Sequence, residues 1–246
     1  MASRPPATVV FGGSSAATRP ARSHPNPSGS GARVTSPRRM AFFDISRGIA
    51  PDTAVWPGDR EVEWTWTARA GEQDSSVNLG SICLSTHTAT HADAPLHVHE
   101  EGAAVDALPL QAFVGPAQVI EVEDDASQIR PDHIADLRAE RVLFKTSASE
   151  LSDEEWPEEV VPFSAEMISH LSQAGTVLVG TDAPSVDPLD STDLPAHHAL
   201  RAAEIVNLEG LSLSNVSPGL YELIALPLKI DGGDAAPVRA VLRDDP

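Results

Sequence analysis

Hydrophobic and polar positions follow strand and helix periods from Met40 onward. "FFDIS" (42–46) reads as a first strand. "VEWTW" (62–66) alternates cleanly, with Val62, Trp64 and Trp66 on one face and Glu63 and Thr65 on the other. "SICLST" (81–86) and "AQVIEV" (117–122) carry further strand patterns. "PDHIADLRA" predicts a helix, with Pro131 in its first turn, where the missing N–H is no loss. "RVLFKT" (141–146) returns to a strand. "SAEMISHLSQAG" predicts a second helix, with Ser164 as cap, Met167, Ile168 and Leu171 as apolar face, and Gly175 as stop. "TVLVGTD" (176–182) is an apolar run of the buried-strand kind. A short helix over 197–204 and strands at "YELIALPL" (221–228) and "PVRAVL" (237–242) complete the series. Strands dominate, helices fall between some of them, and no internal repeat is visible. The pattern is that of one mixed α/β domain over residues 41–246.

Residues 1–40 carry no such period. The first 39 hold seven Ser, six Pro, four Gly and six Arg, with no acidic residue, which predicts a disordered tail. The composition also resembles a transit peptide, and it lacks the apolar core of a secretory signal. A true start at Met40 is the alternative. The rest of the chain then holds 11 basic against 36 acidic residues, a balance that repels phosphate and argues against nucleic acid as a partner. No run approaches eighteen apolar residues, so no membrane span is predicted. The single cysteine, Cys83, excludes an internal disulfide and a Cys-based zinc finger. It fits a reducing compartment, and the cytoplasm is the expected location.

Chemistry concentrates in "STHTATHADAPLHVHE" (85–100), which holds His87, His91, Asp93, His97 and His99. On a straight strand His87 and His91 would stand roughly 13 Å apart, too far for one metal with bonds of about 2 Å. On a straight helix Asp93 would lie about 200° round from His91. A single turn followed by a break satisfies both demands, and Pro95 supplies a reason for the break by disfavouring helix at Ala94. His87, His91 and Asp93 can then converge on one cation. Two imidazoles and a carboxylate suit Zn²⁺, with Mn²⁺ or Fe²⁺ also accommodated. His24, His133 and His170 read as surface or satisfied core residues, and His99, beside Glu100 and Glu101, as solvated.

"HTATHADAPLH" (87–97) resembles the metal-binding signature of the cyclase-like hydrolase family, His-x-Gly-Thr-His-x-Asp-x-Pro-x-His. More narrowly, "DIS" (44–46), "WPGD" (56–59), "GTDAPSVDP" (180–188), "LPAHHAL" (194–200) and "YELIALPL" (221–228) resemble the bacterial metal-dependent kynurenine formamidases (arylformamidases). The resemblance covers about residues 41–243. It implies an α/β single domain with a mixed, partly barrel-like sheet flanked by helices, of the swivelling β/β/α kind. It also implies hydrolysis of N-formyl-L-kynurenine to L-kynurenine and formate, a step of tryptophan breakdown, in a homodimer with two Zn²⁺ per subunit (Mn²⁺ as the alternative).

On the family's pattern His87, His91 and Asp93 bind the first metal, Asp93 bridges to the second, His197 holds the second, and Glu209 contacts both. His197 stands twelve residues before Glu209, as the family's histidine–glutamate pair does, and His198 is the adjacent competitor. His97 is implied as the proton donor and acceptor serving the leaving aniline nitrogen, and Trp56 as an aromatic lining of the kynurenine pocket. These residue types suit amide hydrolysis, because metal lowers the pKa of water to about 7 and polarises the carbonyl. Ala89 replaces the family's Gly, and a methyl group there is strained if the loop needs φ > 0. Other readings are a cyclase-like hydrolase acting on isatin or a related cyclic amide, and a metal-stabilised binding protein without turnover. A serine hydrolase is disfavoured, since no Gly-x-Ser-x-Gly occurs and "GLSLS" (210–214) is the nearest approach.

Because residues 1–39 lack an apolar pattern able to join a core, their deletion is expected to leave folding and turnover intact. Soluble yield and specific activity of the truncated chain check this, and loss of either assigns the tail a structural role.

Overall fold

The computed structural model describes residues 41–72, 75–123 and 125–244. The tail predicted over 1–40 lies outside them. In chain order come β1 (Phe42–Asp44), β2 (Glu63–Ala68), β3 (Leu79–Cys83), β4 (His91–Asp93), β5 (Val114–Glu121), β6 (Arg141–Lys145), α1 (Ala165–Gln173), β7 (Leu178–Thr181), α2 (Pro195–Ala202), β8 (Val206–Glu209), β9 (Gly219–Ile224), β10 (Ala235–Pro237) and β11 (Val241–Asp244). Nine strands form one mixed sheet in the order β1-β11-β9-β5-β6-β7-β8-β4-β10, and β2 with β3 forms a separate hairpin. The centre, β5 to β8, is parallel, and the strands on either side of it are antiparallel.

Parallel strands require cover on both faces, and side-chain alternation supplies it. On β6, Leu143 faces one way, into a core with Ile45, Phe113, Leu208, Leu211 and Leu242, all fully buried. Val142 and Phe144 face the other way, against Met167, Ile168 and Leu171 of α1 and Leu200 of α2. The α1 signals act as the sequence predicts: Ser164 Oγ accepts from the Met167 N–H at 3.1 Å, and Gly175 takes φ +81° just past the end.

The last strands force the sheet to curl. β10 closes one end of the strand order, whereas β11 lies beside β1 at the other end. Yet Pro237 and Val241 are joined by so little chain that they stand within roughly 14 Å of each other. A flat nine-stranded sheet cannot meet that limit, so the two ends come round towards each other, as the resemblance to a partly barrel-like sheet implies. The single strand expected over 237–242 is therefore two strand ends with a corner between them. At the corner the Val238 N–H donates to the Thr90 carbonyl and the Ile45 N–H to the Ala240 carbonyl.

Two other expectations are corrected. The helix expected from Pro131 is a single 3₁₀ turn, Pro131–His133. Beyond it the Gln118 side chain on β5 donates to the Asp136 carbonyl and accepts from the Arg138 N–H, both at 2.8 Å, so tertiary bonds take the groups a helix would need. Trp64 and Trp66 do share a face of β2, edge to face at 5.5 Å, but about half of each is exposed. Their alternation belongs to a hairpin outside the core. Among the described residues no helix is long and apolar enough to cross a membrane.

A Cβ added at Gly180 on β7 would meet Leu143 Cδ2 at 2.6 Å and Leu211 Cδ1 at 2.8 Å. Both leucines are fully buried, so Gly180→Ala is expected to lower stability by about 1–3 kcal/mol. Equilibrium denaturation measures this, and an unchanged midpoint would mean the core yields there.

Candidate metal centre

The histidine-rich stretch folds as a tight turn feeding a strand. The Thr88 N–H donates to the Ser85 carbonyl, and Ala89 sits at φ +59°. From His91 the chain is β4, held between β8 and β10. The expected turn and break are both present, but the break falls at Ala89 rather than at Pro95. Ladder bonds on both sides keep His91–Asp93 extended, and Pro95 instead opens a 3₁₀ turn that carries His97. The strand period puts His91 and Asp93 on one face. The turn swings the His87 ring to 5.0 Å from that of His91. Only glycine fits opposite this turn, since a Cβ on Gly210 would meet the Ala89 carbonyl oxygen at 2.4 Å.

β8 lies antiparallel to β4, with Glu209 opposite His91 and Asn207 opposite Asp93. The first turn of α2 brings in His197, which is buried, while His198 is exposed. The two carboxylates divide their oxygens between two histidines. His91 Nε2 stands 3.4 Å from both Asp93 Oδ1 and Glu209 Oε2. His197 Nε2 stands 3.4 Å from Asp93 Oδ2 and 3.3 Å from Glu209 Oε1. His87 Nδ1 adds a third nitrogen, 3.1 Å from Asp93 Oδ1.

These spacings suit cations. Donors at the corners of a tetrahedron with bonds of about 2.0–2.1 Å stand about 3.3–3.4 Å apart. His91 Nε2 and Asp93 Oδ1 are buried without a hydrogen-bond partner, an expensive condition unless another group satisfies them. The donor set, imidazole plus carboxylate, is that of zinc or manganese. The residues therefore fit a divalent metal.

Outer groups fix the rings. His91 Nδ1 lies 3.0 Å from the Ala89 carbonyl, and His197 Nδ1 lies 2.6 Å from Asp187 Oδ2, so each Nε2 is free to face the centre. Asp187 also accepts the N–H groups of Ala196 and His197, capping an α2 whose own cap residue, Leu194, offers no side-chain bond. Asn207 Nδ2 donates to Asp93 at 3.1 Å and to Glu209 at 2.9 Å, lying between the two charges. Asp234, just before β10, accepts from Thr86 Oγ1 at 2.9 Å and lies 3.1 Å from His87 Nε2.

Burial alone would push the His91 and His197 imidazoles down, but the surrounding carboxylates outweigh it. Asp93 and Glu209 lift His91 to about 10; Asp187, Asp93 and Glu209 lift His197 to about 12. Burial would raise Asp93 and Glu209, yet the histidines hold both below the usual carboxylate range, Asp93 well below it. His97 differs: burial dominates and lowers it. Its ring stands 4.2 Å from that of His87 and 5.6 Å from that of His197. A cavity of about 320 Å³ opens onto His97 and Glu209, walled by Trp56 and Trp156, edge to face at 5.4 Å.

All the residues singled out in the sequence thus meet at one place: His87, His91, Asp93, His97, His197 and Glu209 at the centre, Trp56 at the cavity wall. His99, His133 and His170 stand apart. Sequence reasoning missed Asp187, Asn207, Trp156 and Asp234. Asp187 lies inside the quoted "GTDAPSVDP", and Asn207 shares a strand face with Glu209, so both had a local signal. Trp156 and Asp234 had none.

Comparison with known proteins places the chain in context. Residues 43–188 match the Cyclase family model, described as "Putative cyclase". The chain is 67% identical over 210 residues to the kynurenine formamidase of Salinibacter ruber (strain DSM 13855 / M31), covering 84% of this chain and 99% of that one. A solved potential metal-dependent hydrolase with cyclase activity is 30% identical, with TM-score 0.72 over 84% of this chain and 99% of its own. Isatin hydrolase A from Labrenzia aggregata, bound to benzyl benzoate, shares the fold at 24% identity, with TM-score 0.72 over 83% and 94% of the two chains.

Two outcomes are expected from this geometry. A cation must displace protons from His91 and His197, so uptake by metal-free protein should release protons, and affinity should rise with pH across the neutral range. Calorimetry in buffers of different ionisation enthalpy reads the released protons. Ala89 at positive φ carries a strain of roughly 1–2 kcal/mol, against about 0.5–1 kcal/mol of added chain entropy for glycine. Ala89→Gly is therefore expected to stabilise the protein by about 0.5–1 kcal/mol, visible as a raised melting temperature, and a drop would show that the methyl group packs favourably.

Proposed function

The chain belongs to the Cyclase family, and from that premise we propose that it hydrolyses N-formyl-L-kynurenine to L-kynurenine and formate with the help of two divalent metals. The observation that carries this reading is the 67% identity to the Salinibacter ruber kynurenine formamidase, which extends over 99% of that protein. The isatin hydrolase likeness, at 24% identity, speaks for the fold alone, so a cyclic-amide substrate is not favoured.

In this reading His87, His91 and Asp93 hold the first metal and His197 the second, with Asp93 and Glu209 shared between them. The split of each carboxylate's two oxygens between His91 and His197 supports two ions rather than one. Zinc is the expected ion, with manganese suited to the same donors. When bound, the metals polarise the formyl carbonyl and make water a competent nucleophile near neutral pH.

The chain's own residues supply the rest. Trp56 and Trp156 form an apolar wall against which an aryl ring packs, beside the acid–base group. His97, lowered by burial, is neutral near pH 7 and takes the proton of the attacking water. It then delivers that proton to the aniline nitrogen as the C–N bond breaks, because an arylamine anion leaves poorly. A homodimer in the cytoplasm completes the reading.

The test is kynurenine release from N-formylkynurenine, with and without a chelator, alongside elemental analysis. About two equivalents of metal per chain and loss of activity on chelation are expected; fully active, metal-free protein would sink the mechanism. Asp93→Ala is expected to lose the second metal and weaken the first. His97→Ala should keep its metal but slow by roughly 10²–10⁴-fold. An aryl formate ester, whose leaving group needs less protonation, should suffer less from His97→Ala than the amide does. If His97→Ala strips metal, or harms ester and amide equally, His97 is a ligand or scaffold residue.

A further inference from the structure

His87 presents one ring nitrogen to each of two carboxylates. Nδ1 faces Asp93 Oδ1 at 3.1 Å, on the side of the buried, unpartnered donors. Nε2 faces Asp234 Oδ2 at 3.1 Å, on the outer side. A neutral imidazole carries a single N–H, so Nδ1 can offer a lone pair to a cation only if the proton sits on Nε2. Asp234 is the group that accepts it there. The other two rings have their own outer acceptors, the Ala89 carbonyl for His91 and Asp187 for His197. Asp234 thus completes the set.

Its position is held from three directions. Thr86 Oγ1 donates to Oδ1 at 2.9 Å, the Asp234 carbonyl accepts the Ala94 N–H at 2.9 Å, and the next residue, Ala235, pairs with Asp93. The same Oδ2 lies 3.8 Å from His97 Nδ1, and the His97 ring stands 4.2 Å from that of His87. One carboxylate therefore faces both an inferred ligand and the inferred acid–base residue.

We propose that Asp234 is a positioning residue: it fixes the tautomer and orientation of His87, and through that ring the placing of His97. This rests on the reading of His87 as a ligand and His97 as the proton carrier. An outer-shell acceptor of a ligating histidine contributes about 10–100-fold to metal affinity.

The test compares Asp234→Ala and Asp234→Asn in the full chain, using Zn²⁺ competition against a chromophoric chelator. Asp234→Ala should weaken the tighter zinc by about 10–100-fold. Asp234→Asn, whose amide oxygen still accepts from Nε2, should recover most of that loss. At saturating zinc, Asp234→Ala should lower kcat for N-formylkynurenine with little change in KM, because aryl packing against Trp56 is untouched. Thr86→Val, which frees the carboxylate without removing it, should fall between wild type and Asp234→Ala, and it stands in if the Ala variant fails to fold. Wild-type zinc affinity in Asp234→Ala, or in Thr86→Val where only that variant folds, overturns the proposal. So does equal weakening in Asp234→Ala and Asp234→Asn. Absence of formamidase activity in the wild-type protein would strike the proposed reaction and leave the affinity comparison standing.

Discussion

Asp93 and Glu209 are two carboxylates buried side by side on neighbouring strands, and neither can remain charged there without compensation. Their surroundings answer that constraint. Asn207 donates to both, the Val186 N–H donates to Glu209, and three imidazoles face the four carboxylate oxygens between them. Without metal, protons on His91 and His197 balance the negative charge. A divalent cation at the same oxygens and nitrogens would balance that charge in place of the protons. The acidic pair, more than any one histidine, makes the site a trap for divalent charge.

The sheet is built so that this pair is both close and dry. Curling brings β10 round to flank β4, so the strand bearing His91 and Asp93 is laddered on both edges and its side chains are pinned in register. The turn before it is fixed by contacts from other parts of the chain. Thr90 Oγ1 donates to the Gly210 carbonyl and accepts the Arg47 N–H, while Gly210 leaves room for the Ala89 carbonyl. A strained alanine at φ +59° survives because these bonds over-determine the turn.

Polarity is graded outward from the centre. The carboxylates and His91 are almost wholly buried, His87 and His97 partly so, and Asp234 is half-exposed at the rim. Burial at the centre strengthens each electrostatic contact. Partial exposure leaves His97 open to the cavity beside Trp56 and Trp156, which reaches it from the apolar side.

Much of this was legible in the chain before any contact was known. The 2.0 and 3.6 periods, the Ser164 cap and the Gly175 stop are settled within a few residues, because backbone sterics and local hydrogen bonds act at that range. "HTATHADAPLH" likewise named the donor types, and its spacing demanded a turn. Partners from afar decided the rest. Gln118 unmade the helix expected after Pro131, and β10 turned the ending strand into a corner. Packing of Ala196 and Leu200 buried His197 and left His198 in solvent. Asn207 meets Asp93 across 114 residues, and Asp234 meets His87 across 147. No local pattern encodes such meetings; they follow from which apolar faces are buried together and the strand register that burial imposes. The sequence by itself determined which chemical groups were available and the local shape of each segment. The tertiary structure alone decided which oxygen faces which nitrogen, because strand pairing between distant segments sets those distances.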